Sequence, residues 1–291
     1  MRAHTQRFRE QRPSGRPAPK VRPERRGPVR VELISIGREL LRGRISDSNA
    51  KTLAGFLTRR GAVVRRMSTV DDERHAISLS FREALGRNPH LVISTGGLGP
   101  LDEDRTLSAV SDALGLPLAL NHEAKALVEA AYQRLRRRKF VDKGGLTAGR
   151  EKLCTLPVGS VPVPNPVGVS PGVICRLPGG AAVLCLPGMP DEMQAVLEQA
   201  LPILKIGALE TGVAAREIES PTADESALLP LLDQLVLEFP GVWITSRPAG
   251  PRKAGAKILI SLEAAGDSVS DANATVDSVV KRLLALAAGS P

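Results

Sequence analysis

The chain has 291 residues, 24% of them charged and 42% hydrophobic, a balance that suits a folded protein with room for two domains. No apolar run approaches the roughly 18 residues needed to cross a bilayer, so no membrane partner is expected. The net charge of +9 excludes little, because residues 1–30 hold ten Lys or Arg against two Glu while the other 261 hold 30 basic and 29 acidic groups.

The leader, residues 1–29, is rich in Arg and Pro and has almost nothing to bury, so it is predicted to be disordered. It lacks the apolar core of a secretory signal. Its arginines allow an organellar transit peptide, but Glu10, Glu24 and the scattered prolines argue against the amphipathic helix that would need. A basic tail touches nucleic acid through phosphate, yet only Phe8 is available for stacking, and no specific nucleic-acid partner is expected. Cys154, Cys175 and Cys185 are odd in number and form no C-x-x-C pair. They are predicted to be reduced core residues of a cytoplasmic protein.

Folding is expected from about residue 30. Val31, Leu33, Ile34 and Ile36 form a strand ended by Gly37. Ala50, Leu53, Ala54 and Leu57 recur at helical spacing behind the capping residues Asp47 and Ser48, with Gly61 just beyond. A second strand opens at Ala62-Val63-Val64 and runs toward Asp71-Asp72. Ile77, Phe81, Ala84 and Leu85 mark a helix, Leu91–Thr95 a third strand, and Asp104–Leu114 a third helix. Such alternation predicts an α/β fold: a three-layer, mostly parallel sheet with helices on both faces, over residues 30–206.

Ligands of such sheets sit at the carboxyl ends of the strands. Those ends carry Gly37 to Glu39, then Asp71 and Asp72, then Thr95-Gly96-Gly97-Leu98-Gly99-Pro100 with Asp102, Glu103 and Asp104. Three glycines in five residues let a ligand approach the backbone. Free N–H groups at the start of a helix favour an anion, usually phosphate. Nearby carboxylates suit a divalent cation bridging to it. The same residues also suit a tight strand-to-helix turn with no ligand. Neither a G-x-x-x-x-G-K-[ST] loop nor a G-x-G-x-x-G fingerprint is present, which weakens kinase, GTPase and NAD readings.

Pro162 to Gly172 is too rich in Pro and Gly for a regular element and reads as a rigid loop, in which Asn165 offers a ligand both donor and acceptor. Val173–Leu177 and Ala181–Leu186 flank Pro178-Gly179-Gly180 as a hairpin. Pro187-Gly188-Met189-Pro190-Asp191-Glu192 then turns into a helix that buries Val196, Leu197 and Leu201. Residues 211–288 read as a second unit of order βαββα, with strands over Val213–Ile218, Val242–Thr245 and Lys257–Glu263. Its helices carry the stripes Leu228, Leu229, Leu232, Leu235, Val236 and Val276, Val279, Val280, Leu283, Leu284. Trp243 reads as core. Pro248 to Gly255 reads as a mobile basic loop, and Arg134 to Lys139 as a solvated basic face at a helix end, where cations suit the dipole.

Five segments in order resemble the competence/damage-inducible protein A (CinA-like) family, built on the molybdopterin-binding fold. They are Ile36 to Gly43 with Asn49; Val70 to Glu73; Thr95 to Pro100 with Asp104 and Thr106; Pro164 to Gly168; and Leu186 to Met193. The resemblance spans roughly residues 31–205 and implies a KH-like second domain, although the second unit has no G-x-x-G loop for RNA. The amidase domain of longer members would need about 150 more residues, so no amidase activity is expected.

The resemblance implies a pyrophosphatase acting on a nucleotide diphosphate such as ADP-ribose or FAD. Asp72 and Asp104 would hold Mg, Mn or Co, with Glu39 as a further catalytic residue. Phosphate and ligand contacts are placed on Gly37, Arg38, Asn49, Thr95, Gly96, Gly97, Leu98, Gly99, Asn165, Gly168, Pro187, Gly188, Asp191 and Glu192, with Asp191 or Glu192 as a base. The alternative is a non-hydrolytic binder of molybdopterin or a related phosphorylated ligand. A homo-oligomer, dimer or trimer, is implied. Arg38, Leu101 and Ser48 stand where the family usually has Thr. Arg38 would either strengthen anion binding or fill the site, and loss of the hydroxyl at Leu101 removes a candidate ligand or metal contact.

Overall fold

The computed structural model describes residues 29–204, 212–250, 257–266 and 268–289. The elements are β1 (Arg30–Ile36), α1 (Arg38–Leu41), α2 (Ser48–Thr58), β2 (Val63–Val70), α3 (Arg74–Gly86), β3 (Leu91–Thr95) and α4 (Thr106–Leu114). They continue with β4 (Leu118–Leu120), α5 (His122–Arg137), α6 (Ala148–Lys152), β5 (Thr155–Pro157), β6 (Val161–Val163), β7 (Gly172–Arg176), β8 (Ala182–Leu186) and α7 (Pro190–Leu204). The last are β9 (Gly212–Glu219), α8 (Glu225–Glu238), β10 (Val242–Pro248), β11 (Ile258–Gly266) and α9 (Val269–Gly289).

Six strands form one sheet in the order β2-β1-β3-β8-β7-β6. The first four are parallel, and β7 and β6 each run antiparallel to their neighbour. Alternation along the strands sorts the core. Val31 and Leu33 of β1, Leu91 and Ile93 of β3 and Leu184 and Leu186 of β8 pack with Leu53 and Leu57 of α2 and with α7. Ile34 and Ile36, Val92, and Val183 and Cys185 point the other way, onto Ile77 and Phe81 of α3, Val110 of α4 and Val128 of α5. Each such fully buried side chain contributes roughly 1.5–3 kcal/mol.

Register fixes where the functional loops emerge. Ile36 pairs with Val70, Ser35 with Thr95, and Thr95 with Leu186. The loops after β1, β2, β3 and β8 therefore leave one sheet edge side by side. Gly37 N–H donates to the Val70 carbonyl (3.1 Å) and Gly96 N–H to the Leu186 carbonyl (3.1 Å), extending the ladder one residue into the loops.

Several expectations need correction. The leader lies outside the described residues except for Val29, which is buried at 4% exposure and whose carbonyl accepts from Val63 N–H. Pro162 and Val163 are strand, not loop. They lie in β6, at the sheet edge, where a residue without an N–H is tolerated. Helix α4 starts at Thr106, so the acidic run before it belongs to the loop. The buried stripe of α7 is Met193, Val196, Leu197, Ala200 and Leu204, and Leu201 is only half-buried. The thiols are free and buried as expected, and burial pushes that of Cys154 up to about 11.

The second sheet is antiparallel, in the order β10-β11-β9, and the βαββα order is as expected. Its core gathers Leu228, Leu235, Ile260, Leu262, Val276, Val279 and Leu283. Leu229, Val236 and Leu284 are exposed rather than buried. Trp243 is not core but 60% exposed, because Val242 takes the inward position and alternation turns its neighbour outward. Most of the expected basic loop, at residues 251–256, lies outside the described residues.

His90 joins the starts of β1 and β3, its Nδ1 accepting the Arg30 N–H at 2.9 Å. Burial, then the Arg30 charge, push its pKa below the ordinary 6.5. The unfolded chain therefore takes up this proton first, and folding stability falls as pH drops below about 6.5. In urea titrations at about pH 7.5 and about pH 5.5, His90→Gln is expected to lose less stability over that interval than wild type. Equal losses would contradict the assignment.

Candidate functional site

A cavity of about 530 Å³ opens at the sheet edge where the four loops emerge. Its wall is drawn from Gly37 and Glu39, from Ile45 to Asn49, from Asp72, from Thr95 to Gly99 with Glu103 and Asp104, and from Pro187 to Pro190 with Ser170 and Glu192. Among the expected site residues, Gly37, Glu39, Asn49, Asp72, Thr95, Gly96, Gly97, Leu98, Gly99, Asp104, Pro187, Gly188 and Glu192 meet there. Arg38, Asn165, Gly168 and Asp191 are not in the lining.

The glycine loop is shaped by close approach. Gly96 has φ +99°, and a Cβ there would overlap the carbonyl oxygen of Ile36. Gly97 has φ +66°, and a Cβ there would overlap Thr106 Oγ1. Thr106, fully buried, ties the loop to α4: its hydroxyl donates to Gly96 O at 2.8 Å and its N–H to Gly97 O at 3.2 Å. Two expectations change as a result. Gly96 N–H is engaged by Leu186, and the first N–H of α4, that of Thr106, by Gly97, so neither of these two is offered to an anion. The N–H groups of Gly97, Leu98 and Gly99 have no partner among the described residues.

The floor is held by Asn49, whose Nδ2 donates to Gly188 O at 2.7 Å. Its Oδ1 is buried and has no partner. Asp104 accepts the Leu101 N–H at 2.9 Å, closing the loop. Leu101 itself is 59% exposed and outside the lining, so its backbone, not a side-chain hydroxyl, meets Asp104.

Arg38 does not fill the cavity. Its Nε and Nη2 reach Asp71 Oδ1 at 3.1 and 2.8 Å, and Nη2 reaches Asp72 Oδ1 at 2.8 Å. The guanidinium hydrogen bond holds the Asp71 carboxyl down to about 2. Burial first, and Asp71 beside it, push Asp72 upward.

Asn165 is buried and wholly engaged with the protein. Nδ2 donates to Ser170 O (2.8 Å) and Glu192 Oε2 (2.7 Å), and Oδ1 accepts from Val167 and Gly168 N–H (3.1 and 2.7 Å). Gly168 lies against the Glu192 carboxylate, where a Cβ would collide. Arg134 is exposed, as expected of the basic face at the end of α5, and its Nη2 also donates to Asn165 O at 3.1 Å, bracing this loop. Of the two candidate bases, Glu192 borders the cavity and Asp191 does not.

Lining residues that the sequence does not mark as site residues include Ile45, Ser46, Asp47, Ser170 and Met189, while Glu103, one of the carboxylates beside the glycine run, is in the lining as expected. Asp47 was legible only as a helix cap, which it is, accepting from Ala50 N–H at 2.9 Å. Ile45 and Met189 are 54% and 64% exposed and give the cavity an apolar lip. Six carboxylates border the cavity: Glu39, Asp47, Asp72, Glu103, Asp104 and Glu192. No basic side chain among the described residues does. No three His, Cys, Asp or Glu side chains among the described residues are gathered so as to hold an ion by themselves.

This is an α/β protein whose cavity lies at the carboxyl ends of parallel strands. Residues 32–206 match the family model for a probable molybdopterin binding domain, and the chain belongs to that family as a CinA-like member. It is 37% identical over 263 residues to a protein of Caldivirga maquilingensis, covering 89% of this chain and 97% of that one. It is 37% identical over 223 residues to a protein of Pyrococcus horikoshii, covering 76% and 85%. The crystal structure of the protein CinA, of unknown function, from Thermoplasma acidophilum matches with a TM-score of 0.54 and 36% identity, over 61% of this chain and 99% of that one. No helix among the described residues is long and apolar enough to cross a membrane.

Proposed function

We propose that the cavity binds a phosphoanhydride together with a divalent cation and hydrolyses it, as a cytoplasmic, homo-oligomeric pyrophosphatase for a nucleotide diphosphate of the ADP-ribose or FAD type. The observation that carries this reading is the pairing of unpartnered N–H groups at Gly97, Leu98 and Gly99 with six bordering carboxylates and no basic side chain. The N–H groups suit phosphate oxygens, but the carboxylates repel a bare anion. A phosphate enters favourably only with a cation beside it. Oxygen ligands without thiol or imidazole suit Mg²⁺ or a similar hard ion. Such an ion takes part of its shell from phosphate and water, which is why no complete protein cage is required.

In this reading Asp72 and Asp104 would hold the ion, assisted by Glu39, and a bound ion would supply neutralisation of charge at phosphorus and activation of a water. The chain's own groups do the rest. Gly97, Leu98 and Gly99 orient the phosphate. Asn49 Oδ1 accepts from a ligand N–H or O–H. The Ile45 and Met189 lip covers a ring, and Glu192, which borders the cavity, takes the proton of the attacking water. Water adds to one phosphorus as the bridging P–O bond breaks, giving two monophosphates. The volume falls within the 300–1,000 Å³ usual for small-ligand sites. Exposed Leu229, Val236, Leu237 and Leu284 supply apolar surface for self-association.

The family description favours a second reading, retention of a phosphorylated pterin without cleavage. Chromatography of AMP formed from ADP-ribose, with and without Mg²⁺ or Co²⁺, separates the two. Metal-dependent AMP that disappears in Asp72→Asn is expected. No AMP, with tight pterin binding by calorimetry, would replace the first reading with the second.

A further inference from the structure

We infer that Arg38 is a built-in counter-cation that competes with a divalent ion for Asp72, so that metal uptake requires the guanidinium to leave. This rests on the metal-assisted reading above and concerns a residue outside the cavity lining.

The geometry is specific. Arg38 opens α1 directly after Gly37, at the end of β1, while Asp71 and Asp72 follow the end of the adjacent parallel strand β2. Strand register thus sets a cation on one loop against two carboxylates on the next. The guanidinium bonds Asp71 through two nitrogens and reaches Asp72 Oδ1 at 2.8 Å. Asp72 borders the cavity, as does Glu103, and neither Asp71 nor Arg38 does. The guanidinium therefore holds one carboxylate oxygen of an aspartate that borders the cavity, and an ion taken up at Asp72 has to share or displace that contact. Arg38 is 48% exposed and Asp72 24%, so this is a partly solvated pair that can open. A divalent ion offers Asp72 more charge than the guanidinium does. Asp71 keeps Arg38 bound when Asp72 is released, which makes the exchange a small movement and not an unfolding.

Arg38 is then a positioning residue. It lowers the affinity of the empty site for metal alone and favours metal arriving with its phosphate, whose oxygens complete the shell.

The test is Mn²⁺ titration of the full chain, followed by water-proton relaxation, with far-UV circular dichroism to establish that each variant is folded. Arg38→Thr is expected to bind Mn²⁺ about five- to tenfold more tightly, since a competing, partly solvated ion pair is lost. Arg38→Lys, which keeps the charge, is expected to stay within about twofold of wild type, since a monodentate ammonium still competes. Asp72→Asn is expected to erase the difference between Arg and Thr at position 38. Equal affinity of wild type and Arg38→Thr, both measurable, would overturn the competition while leaving metal-assisted phosphate binding intact. Absence of Mn²⁺ binding in both, with inorganic phosphate present as well as without it, would overturn the two together.

Discussion

Gly96→Ala is expected to lose about 3 kcal/mol of folding stability, a large part of the 5–15 kcal/mol typical of a whole domain. At φ +99° an L-residue is strained, at a cost of order 1–3 kcal/mol. The added methyl also overlaps the Ile36 carbonyl oxygen, which belongs to backbone and not to a movable side chain. Neither partner can shift cheaply. Gly96 is fixed on both sides by its N–H to Leu186 and its carbonyl to Thr106, and Ile36 sits at the end of β1, which is paired on both sides by β2 and β3. Gly99→Ala is the control. There the methyl meets only the Asp104 carboxylate, and φ is not in the left-handed region. Its expected cost is below about 1 kcal/mol, since a side chain can move aside. Urea unfolding midpoints read both. A Gly96→Ala variant within about 0.5 kcal/mol of wild type would refute this account of the loop.

The contrast between these two glycines shows how far the sequence could be read. Strand-loop-helix alternation places the glycine run at the carboxyl end of β3, and the strand-end rule groups it with Gly37 and Asp72, whereas Pro187 joins them only through the family resemblance. Those inferences used local pattern and topology, which the chain carries openly. What could not be read was which N–H groups are already engaged. Gly96 and Gly97 look alike in sequence, yet only the pairing of β3 with β8 engages Gly96 N–H with Leu186. Arg38 was legible as a cation near the site, but its alignment with Asp71 depends on the β1–β2 register. Trp243 was a different kind of failure. The strand period that buries Val242 turns Trp243 outward, and the bulk of an indole does not override it.

Asn165 illustrates the same limit, and its substitution is the second large effect. As a side chain with donor and acceptor in a Pro- and Gly-rich loop it suggested a ligand contact, whereas all its polar atoms are satisfied within the protein. Asn165→Ala removes four hydrogen bonds and leaves the Val167 and Gly168 N–H groups, the Ser170 carbonyl and Glu192 without that partner. At 0.5–1.5 kcal/mol net each, and allowing for water reaching the more exposed ends, the loss is roughly 2–4 kcal/mol. Glu192 would also lose its anchor at the cavity wall, so ligand affinity is expected to fall with stability.

Asn165→Asp separates the contributions. An Asp at this position still accepts from Val167 and Gly168, but places a second carboxylate where Nδ2 had donated to Glu192 at 2.7 Å. Two carboxylates that close do not both ionise comfortably, so one retains a proton and its folded-state pKa is raised. A raised folded pKa confers stability that is present below the unfolded value near 4 and is lost as pH rises through the folded one. Asn165→Asp should therefore approach wild-type stability at about pH 4.5 and fall well below it at about pH 8. Asn165→Ala should show a nearly constant deficit across the same range. If the Asp variant ran parallel to the Ala variant from acid to alkaline pH, Glu192 would not be facing this side chain, and the wall of the cavity would have to be built another way.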